Sequence, residues 1–333
     1  MMLYTVFDAP YLAPVALILD YLLGDPKLPW PHPVVAIGRL YTLFEKRLRR
    51  LPVHKKIVGR LAGAFAVTVI AGLTGIVSGL LLLPKYLGPI AALYLAYAGL
   101  AMGSLMRTGS LVLNAIEEEP LPEARKKLSW LVSRETTTMD RPCMRKTLAD
   151  TLTENFTDAL VAPFFWLLLT GPIGLWVYKA ISTGDSMWGY TTDAWRNLGW
   201  ACARADDCAA FIPARVSILV VGLYDSVLRN LFPKKRIWRG RWPGFLTVHS
   251  QALGMPSPNS GCSMNAFSWI LKARMAGPSV YFGTLVEKPW LGPPAHESLP
   301  WDKTLLSILI CAMRGAGFFG MLFFWLILVL LCY

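Results

Sequence analysis

Residues 61–83 read LAGAFAVTVIAGLTGIVSGLLLL and contain no charged side chain, and the same holds for residues 86–106 and 315–333. An α-helix rises about 1.5 Å per residue, so about 20 residues cross a hydrocarbon core of roughly 30 Å. Each segment is long enough to cross a bilayer. Because an Asp or Arg at the centre of a span costs about 2.5–3.5 kcal/mol on insertion scales, the absence of charge is informative. The sequence therefore predicts an integral membrane protein.

The composition of the chain agrees with this prediction. Of its 333 residues, 54% are hydrophobic and only 16% are charged, whereas soluble domains carry about 25% charged residues. The net charge is +12, and the cations gather beside the apolar segments, between residues 46 and 56 and between residues 234 and 241. Basic clusters at such positions mark the cytoplasmic side of a membrane protein. We therefore interpret the charge as a topology signal and expect no nucleic-acid partner.

We predict an all-α integral membrane protein with about four to six transmembrane helices, additional re-entrant or interfacial helices, and long cytoplasmic loops. Residues 1–333 are expected to form a single membrane domain, with a first span at residues 3–23 and a last span at residues 303–332. The predicted cytoplasmic loops, expected to form the active site, are residues 25–56, 114–158, 182–212 and 233–303. The first loop contains an amphipathic piece at residues 34–48.

Two apolar segments have an ambiguous topology. Residues 159–178 are interrupted by Gly171-Pro172, so this segment is either one kinked span or a re-entrant hairpin. Residues 213–231 include Arg215, Asp225 and Arg229. Because the polar segments on either side both look cytoplasmic, either both apolar segments cross the membrane or neither does. We favour the second arrangement.

Three acidic residues, Asp150, Glu154 and Asp158, follow one another at intervals of four. This spacing places them on one face of a helix, where like charges repel. A divalent cation would relieve the repulsion, and Mg²⁺ prefers one or two carboxylates together with phosphate oxygens. A solvated acidic face ahead of a span is the equal alternative.

Other polar residues form weaker candidate sites. Arg134 is a candidate for anion binding, since guanidinium groups match phosphate and carboxylate geometry. His32 lies between two prolines near Asp25 and is a candidate for titration, although a lone histidine is more often structural. The string from Lys179 to Tyr190, which includes Asp185, suggests the mouth of a ligand site.

Two further strings have both a functional and a structural interpretation. Ser257, Asn259 and Ser260 belong to the turn sequence MPSPNSG, whose amides and hydroxyls are suited to cradle an anion or simply to form a rigid loop. Arg204, Asp206, Asp207 and Arg215 form an alternating-charge patch, for which salt-bridge pairing is the default interpretation.

Taken together, these strings resemble the adenosylcobinamide-phosphate synthase family. The resemblance is carried, in order, by LDYLLGDP at 19–26 with His32-Pro33 and Ile37-Gly38, RET at 134–136, ENFTD at 154–158, YKA at 178–180, DSMWGY at 185–190, GW at 199–200, RADD at 204–207, IPAR at 212–215, PSPN at 256–259 with Gly261, Gly277-Pro278 and YFG at 281–283. Nearly all of these residues lie outside the uncharged spans. Met255, Glu135 and Gly184 depart from the histidine, aspartate and leucine that are usual in the family.

The resemblance implies an enzyme of cobalamin biosynthesis in the cell inner (cytoplasmic) membrane, multi-pass, with a cytoplasmic active face. The expected reaction joins the carboxylate of adenosylcobyric acid to the amine of (R)-1-amino-2-propanol or its O-phosphate, giving adenosylcobinamide (phosphate). It would use ATP and Mg²⁺ and pass through an acyl phosphate. The expected partners are the corrinoid, aminopropanol or aminopropanol phosphate, the lipid bilayer, other cobalamin-pathway enzymes and a second copy of the chain.

Spacing and resemblance together assign roles to the candidate residues. The expected catalytic residues are Asp25, His32, Lys179 and Asp185. The expected substrate- and phosphate-binding residues are Arg134, Glu135, Asn155, Tyr190, Arg204, Asp207, Arg215, Ser257, Asn259 and Ser260. The expected metal ligands are Glu154, Asp158 and Asp206.

Two other classes of function compete with the ligase. Charged residues near membrane depth and a broken apolar segment are also typical of a transporter for corrinoids or other anionic solutes. A non-catalytic membrane scaffold for corrin enzymes is the third possibility. The number of convincing spans is small and half of the chain is polar, which favours the enzyme.

Overall fold

A computed structural model describes residues 9–26, 29, 31–132, 134–232, 240–281 and 284–332. Among these residues, five helical stretches are long and apolar enough to cross a membrane: Lys56–Leu82, Leu87–Glu118, Arg141–Trp188, Phe211–Leu231 and Lys303–Leu331. The second and third of these stretches each contain more than one of the helices named below. The predicted all-α membrane fold with four to six spans is therefore confirmed. The described part of the first predicted span forms only a shorter apolar helix, Tyr11–Leu23. Some residues used in the sequence analysis lie outside the described residues. They are Lys234, Lys235, Arg236 and Arg239 of the basic segment 234–241, and Phe282-Gly283 of the family resemblance.

The chain, which we predicted to form one domain, divides into two compact units. The first unit comprises Met1–Ala101, Ala162–Ala210 and Ile327–Tyr333, and the second comprises Met102–Val161 and Phe211–Leu326. The helices of the first unit are α1 (Ala9–Leu23), α2 (Pro33–Leu48), α3 (Lys56–Leu82), α4 (Leu87–Ala98), α8 (Ala162–Trp188) and α9 (Trp200–Ala209). The predicted amphipathic piece at 34–48 is α2, and its Tyr41 hydroxyl donates to the Ala180 carbonyl of α8 at 3.1 Å.

Close backbone approaches hold α3 against the segment that precedes α9. A β-carbon built on Gly63 would lie 2.0 Å from the Leu198 carbonyl oxygen, and one built on Gly59 would lie 2.6 Å from the Asn197 β-carbon. Real β-carbons do not approach so closely, so only glycine fits these two positions. The Asn197 amide also donates to the His54 carbonyl at 2.7 Å.

The predicted interruption of the 159–178 segment is real. Gly171 has φ 68° and ψ −168°, which breaks the helical path within α8. Glycine adopts a positive φ without steric cost, and the following Pro172 disfavours helix at position 171. The backbone is thus a kinked helix, and the number of times this segment crosses the bilayer stays a prediction.

The second unit contains the remaining elements. Its helices are α5 (Met102–Glu118), α6 (Leu121–Leu128), α7 (Arg141–Phe156), α10 (Phe211–Leu231), α11 (Phe245–Ala252), α12 (Gly261–Leu271) and most of α13 (Lys303–Cys332), with a π turn at Thr157–Val161 and a 3₁₀ turn at Ala295–Glu297. Its strands are β1 (Met275–Ala276), β2 (Ser279–Tyr281), β3 (Thr284–Val286) and β4 (Trp290–Leu291), paired antiparallel as β1–β4 and β2–β3. The segments 114–158 and 233–303, which we predicted to be loops, therefore contain several helices.

The centre of the second unit is built around α12. Phe267 of α12 meets Phe156 of α7 edge to face, with ring centroids 5.2 Å apart. The Ser263 hydroxyl donates to the Thr153 carbonyl at 2.7 Å, and the Asn265 amide donates to the Val248 carbonyl at 2.8 Å. Buried polar groups cost little when they are hydrogen-bonded, so these contacts attach α12 to both α7 and α11.

The glycines of α3 provide a matched test of this packing. Gly63→Ala should lower the free energy of unfolding by about 1–3 kcal/mol, the usual cost of overpacking. Gly72→Ala is the control, because a β-carbon on Gly72 meets nothing within 4 Å and alanine is the better helix former. We expect thermal unfolding of the detergent-solubilised protein to show a lower midpoint only for Gly63→Ala. Equal midpoints would contradict the close approach of α3 to Leu198.

Candidate functional site

A fully buried carboxylate, Asp150, organises the polar groups of the second unit. Its Oδ2 accepts hydrogen bonds from Arg134 Nη1 and from Lys146 Nζ, both at 2.8 Å, and its Oδ1 accepts from the Ala276 amide at 3.0 Å. The Asp150 side chain is 0% exposed and the Arg134 side chain is 6% exposed. A buried charge is tolerated when it is paired and fully hydrogen-bonded. Asp150 therefore joins α7, the segment before it and strand β1.

The backbone of Ala276 is held in an unusual conformation. Its φ of 58° lies in the left-handed region, which residues with a β-carbon rarely adopt. Asp150 binds its amide, and the Lys146 ammonium donates to its carbonyl. Such a conformation persists only where the surroundings hold it, and it is often found at functional sites.

Glu154 lies one helical turn after Asp150 on α7. It is half-buried, and the charges of Lys288, Arg134 and Asp150 act on it. Asp158 follows in the π turn and is also half-buried. The predicted helix is thus present as far as Phe156, and π turns within helices occur frequently at functional sites. Asn155 instead donates to the Thr151 carbonyl of its own helix at 2.9 Å.

The structure supplies a limited set of ligands for Mg²⁺. In the described part of the chain, no three His, Cys, Asp or Glu side chains come together as a metal site. Glu154 and Asp158 belong to the second unit, whereas Asp206, the third predicted ligand, lies on α9 of the first unit. Two carboxylates still suit Mg²⁺, which commonly completes its coordination with water and substrate phosphates.

Local sequence spacing did not reveal Arg274 and Lys288, two further basic residues of the second unit. The ring of Trp290 is contacted by the Arg274 guanidinium at 4.3 Å and by the Lys146 ammonium at 5.1 Å from its centroid, and Lys288 acts on Glu154. We call Arg134, Lys146, Arg274 and Lys288 the basic cluster. The one available signal was Lys146, which stands four residues before Asp150 on the same helix.

The predicted anion-binding turn forms a second polar group in this unit. Arg215 Nη1 donates to Asn259 Oδ1 at 2.7 Å, and the guanidinium lies 3.7 Å from the centroid of the Phe211 ring. The backbone N–H of Asn259 donates to the Ser257 hydroxyl at 3.3 Å. Ser260 occupies the position before α12 and makes no side-chain cap. Glu135 is exposed and accepts from the Thr137 hydroxyl at 2.8 Å.

In the first unit, His32 lies within electrostatic range of Asp25 and Lys179. Its Nδ1 accepts from the Val34 amide at 3.3 Å, so His32 caps α2. Burial is the largest influence and lowers the pKa of His32; Asp25 raises this pKa, and Lys179 lowers it. The net result is a lowered pKa, so the imidazole is neutral at neutral pH.

The other predicted residues of the first unit lie near the end of α8 and on α9. Asp185 is close enough to Asp207 for their charges to interact, and Arg204 Nη1 binds Asp207 Oδ2 at 3.1 Å. The buried thiol of Cys202 has a pKa raised to about 12, first by burial and then by the charge of Asp185. Asp206 is half-buried, and Tyr190 is 37% exposed.

These observations define a helical membrane protein with partly buried clusters of charged residues in each unit. Residues 13–305 match the family model described as CobD/Cbib protein. The chain belongs to this CobD/CbiB family.

Named relatives agree with this family over most of their length. The cobalamin biosynthesis protein CobD of Pelobacter propionicus is 38% identical over 86% of this chain and 86% of its own. The CobD protein of Photorhabdus laumondii is 36% identical over 95% and 96%, and the cobalamin biosynthesis protein CbiB of Salmonella choleraesuis is 35% identical over 92% and 98%. No solved structure matches the chain.

The buried ion pairs of Asp150 predict a large effect on stability. Asp150→Ala leaves Arg134 and Lys146 without their shared carboxylate, and removal of one partner of a buried pair costs about 3–5 kcal/mol. The thermal midpoint in detergent should fall by several degrees. Asp193→Ala is the control, since its pair with Arg196 is 3.5 Å long and 94% exposed on the aspartate side; it should change the midpoint little. A similar fall in both variants would contradict the special contribution of the buried Asp150 pairs.

Proposed function

We propose that the protein is an ATP-dependent amide ligase of cobalamin biosynthesis. It joins the carboxylate of adenosylcobyric acid to (R)-1-amino-2-propanol or its O-phosphate and forms adenosylcobinamide (phosphate). The relatives are named for this pathway, and the motifs that carry the family resemblance include Arg134, Glu154 and Asp158 of the second unit. The observation that carries the proposal is the basic cluster gathered around buried Asp150, beside Glu154.

The proposed chemistry balances in two steps. A carboxylate oxygen of the corrinoid attacks the γ-phosphorus of ATP, which forms an acyl phosphate and releases ADP. The amine nitrogen then attacks the acyl carbon, inorganic phosphate leaves, and the nitrogen loses a proton to a base. The first step is phosphoryl transfer, in which positioned cations and Mg²⁺ supply most of the stabilisation.

The second unit has the groups that the phosphoryl transfer requires. Arg134 and Lys146 are held by Asp150, so their positive charges are fixed before a phosphate arrives, which is the condition for electrostatic stabilisation. Glu154 and Asp158 would hold Mg²⁺, which when bound neutralises phosphate charge. Arg215, oriented by Asn259, is a second cation suited to a phosphate or carboxylate group.

The first unit has the groups that the proton transfer requires. His32 has a lowered pKa and is neutral at neutral pH, so its imidazole is able to accept a proton. Asp25 is the alternative base. We assign Lys179 to a substrate carboxylate or phosphate because its ammonium is a compact point charge, and Asp185 remains the fourth predicted catalytic residue. We further propose that the protein acts at the cytoplasmic face of the inner membrane, alongside other enzymes of the pathway.

A corrinoid transporter is the second candidate function, and the broken helix at Gly171 is the observation that favours it. The two functions are separated by incubation of purified protein in detergent with adenosylcobyric acid, ATP, Mg²⁺ and either aminopropanol or aminopropanol phosphate. Mass spectrometry should detect the amide product without a sealed membrane. Gradient-dependent uptake into vesicles, with no product in detergent, would support the transporter instead.

Replacement of Glu154 tests the metal assignment. Glu154→Gln should lower kcat by about a hundredfold or more and raise the Mg²⁺ concentration needed for half-maximal turnover, because an amide is a poor ligand for a hard cation. Glu123→Gln is the control, since Glu123 is an exposed residue of α6. Unchanged magnesium dependence in Glu154→Gln would remove Glu154 from the metal site.

The lowered pKa of His32 predicts the pH dependence of the reaction. A base must be unprotonated, so kcat/KM for the corrinoid, measured at saturating amine, should stay level down to about pH 6.5, the ordinary histidine value, and fall only below it. His32→Gln should lower the rate and abolish this acidic limb. An acidic limb that is unchanged in His32→Gln would assign the base to another residue.

The stability of the protein gives a check on His32 that does not depend on catalysis. Between the lowered folded pKa and about 6.5, unfolded His32 binds more protons than folded His32, so stability falls as the pH falls through this window. Above about pH 6.5 the contribution is complete. The wild-type midpoint should therefore drop more steeply on acidification than that of His32→Gln.

A further inference from the structure

The first unit contains a cavity of about 500 Å³ lined by α2, α3, α4 and α8. Its lining residues include Ala36 and Ile37 of α2, Leu73 and Val77 of α3, Tyr94 of α4 and Trp176 of α8. No charged side chain is among its lining residues in the described part of the chain. The Thr74 hydroxyl, which also lines it, donates to the Ile70 carbonyl of its own helix at 2.7 Å. The cavity is therefore apolar and has the size of a typical ligand pocket.

The cavity is continuous with the outer surface of a membrane-spanning helix. Leu73, Val77 and Leu81 line it, yet these side chains are 43%, 54% and 49% exposed. They belong to α3, which is long and apolar enough to cross a bilayer. The exposed surface of such a helix is covered by lipid acyl chains, so the opening of the cavity faces hydrocarbon and not water.

We propose that this cavity binds one acyl chain of a phospholipid. An empty apolar cavity lacks dispersion contacts along its whole lining, and a chain that enters from the bilayer restores them. The corrinoid and ATP are poor occupants, because their charged groups would be buried without polar partners. In a bilayer, the apolar molecules that surround the opening of the cavity are phospholipid acyl chains.

The bound chain also supports the helix that positions His32. Pro33 both lines the cavity and begins α2, and His32 caps this helix through the Val34 amide. The His32 ring lies 6.1 Å from the ring of Trp176, which forms another wall. A chain that fills the cavity therefore packs against Pro33 and Trp176 and restrains the start of α2.

A matched pair of substitutions on α2 tests the proposal. Ala36→Trp adds a large ring at an exposed position that lines the cavity, whereas Val35→Trp makes a similar change at the neighbouring exposed position, which is not a lining residue. The proteins are reconstituted in nanodiscs of palmitoyl-oleoyl phosphatidylglycerol and phosphatidylethanolamine and released for native mass spectrometry. Wild type and Val35→Trp should retain one phospholipid per chain, and Ala36→Trp should retain it in at least tenfold lower proportion. Equal retention by Ala36→Trp would overturn the proposal.

A second measurement compares wild type with Trp176→Phe and so does not depend on the folding of Ala36→Trp or Val35→Trp. Trp176 is 1% exposed and is a lining residue of the cavity, so a chain inside the cavity brings its acyl carbons close to the Trp176 ring. Phospholipids brominated on the acyl chain should quench the fluorescence that wild type has in excess of Trp176→Phe. An unquenched Trp176 component would overturn the proposal. Neither measurement detects ligation, so a negative result in either one does not contradict the proposed ligase function. A failure to detect ligation likewise does not contradict the binding of an acyl chain.

Discussion

The packing of the second unit depends on the pairing of one buried carboxylate, that of Asp150, with hydrogen-bond donors. Asp150 is 0% exposed, and an unpaired charge in such a place would cost several kcal/mol. Three donors from separate parts of the chain, Arg134, Lys146 and the Ala276 amide, remove that cost. The same contacts hold two cations and a strained turn at Asp150, one helical turn before Glu154, on which Arg134 also acts. The requirement to satisfy one buried charge therefore also assembles the groups proposed to bind phosphate.

Features that depend on neighbouring residues could be predicted from the sequence. The long uncharged segments predicted the spans, and the Gly171-Pro172 pair predicted the interruption of α8. The amphipathic pattern of residues 34–48 predicted α2. The four-residue acidic spacing predicted a helix that is present through Phe156. The partners of Asp150 could not be predicted in this way, because Ala276 lies 126 residues further along the chain.

The polar segments show why hydrophilicity alone misjudged the amount of helix. Residues 114–158 carry too many charges to resemble a span, yet most of them are helical. Arg145 binds Glu117 through two hydrogen bonds of 2.7 and 2.8 Å, which connects α7 to α5. α6 buries only Ala124 and Leu128. α7 nevertheless buries Met144, Leu148, Leu152 and Phe156, so its apolar face is present but is hidden in the sequence by the charged residues between these positions.

Met255, where the family usually has histidine, has a structural role in this chain. Its side chain is 7% exposed, and a β-carbon on Gly261 would lie 2.9 Å from its Cγ, so the thioether packs beneath the first turn of α12. This packing supports the turn that carries Ser257 and Asn259. A thioether has no proton to donate and no basic nitrogen. In the proposed reaction the amine proton must therefore pass to another group, and the neutral imidazole of His32 has the chemistry to accept it.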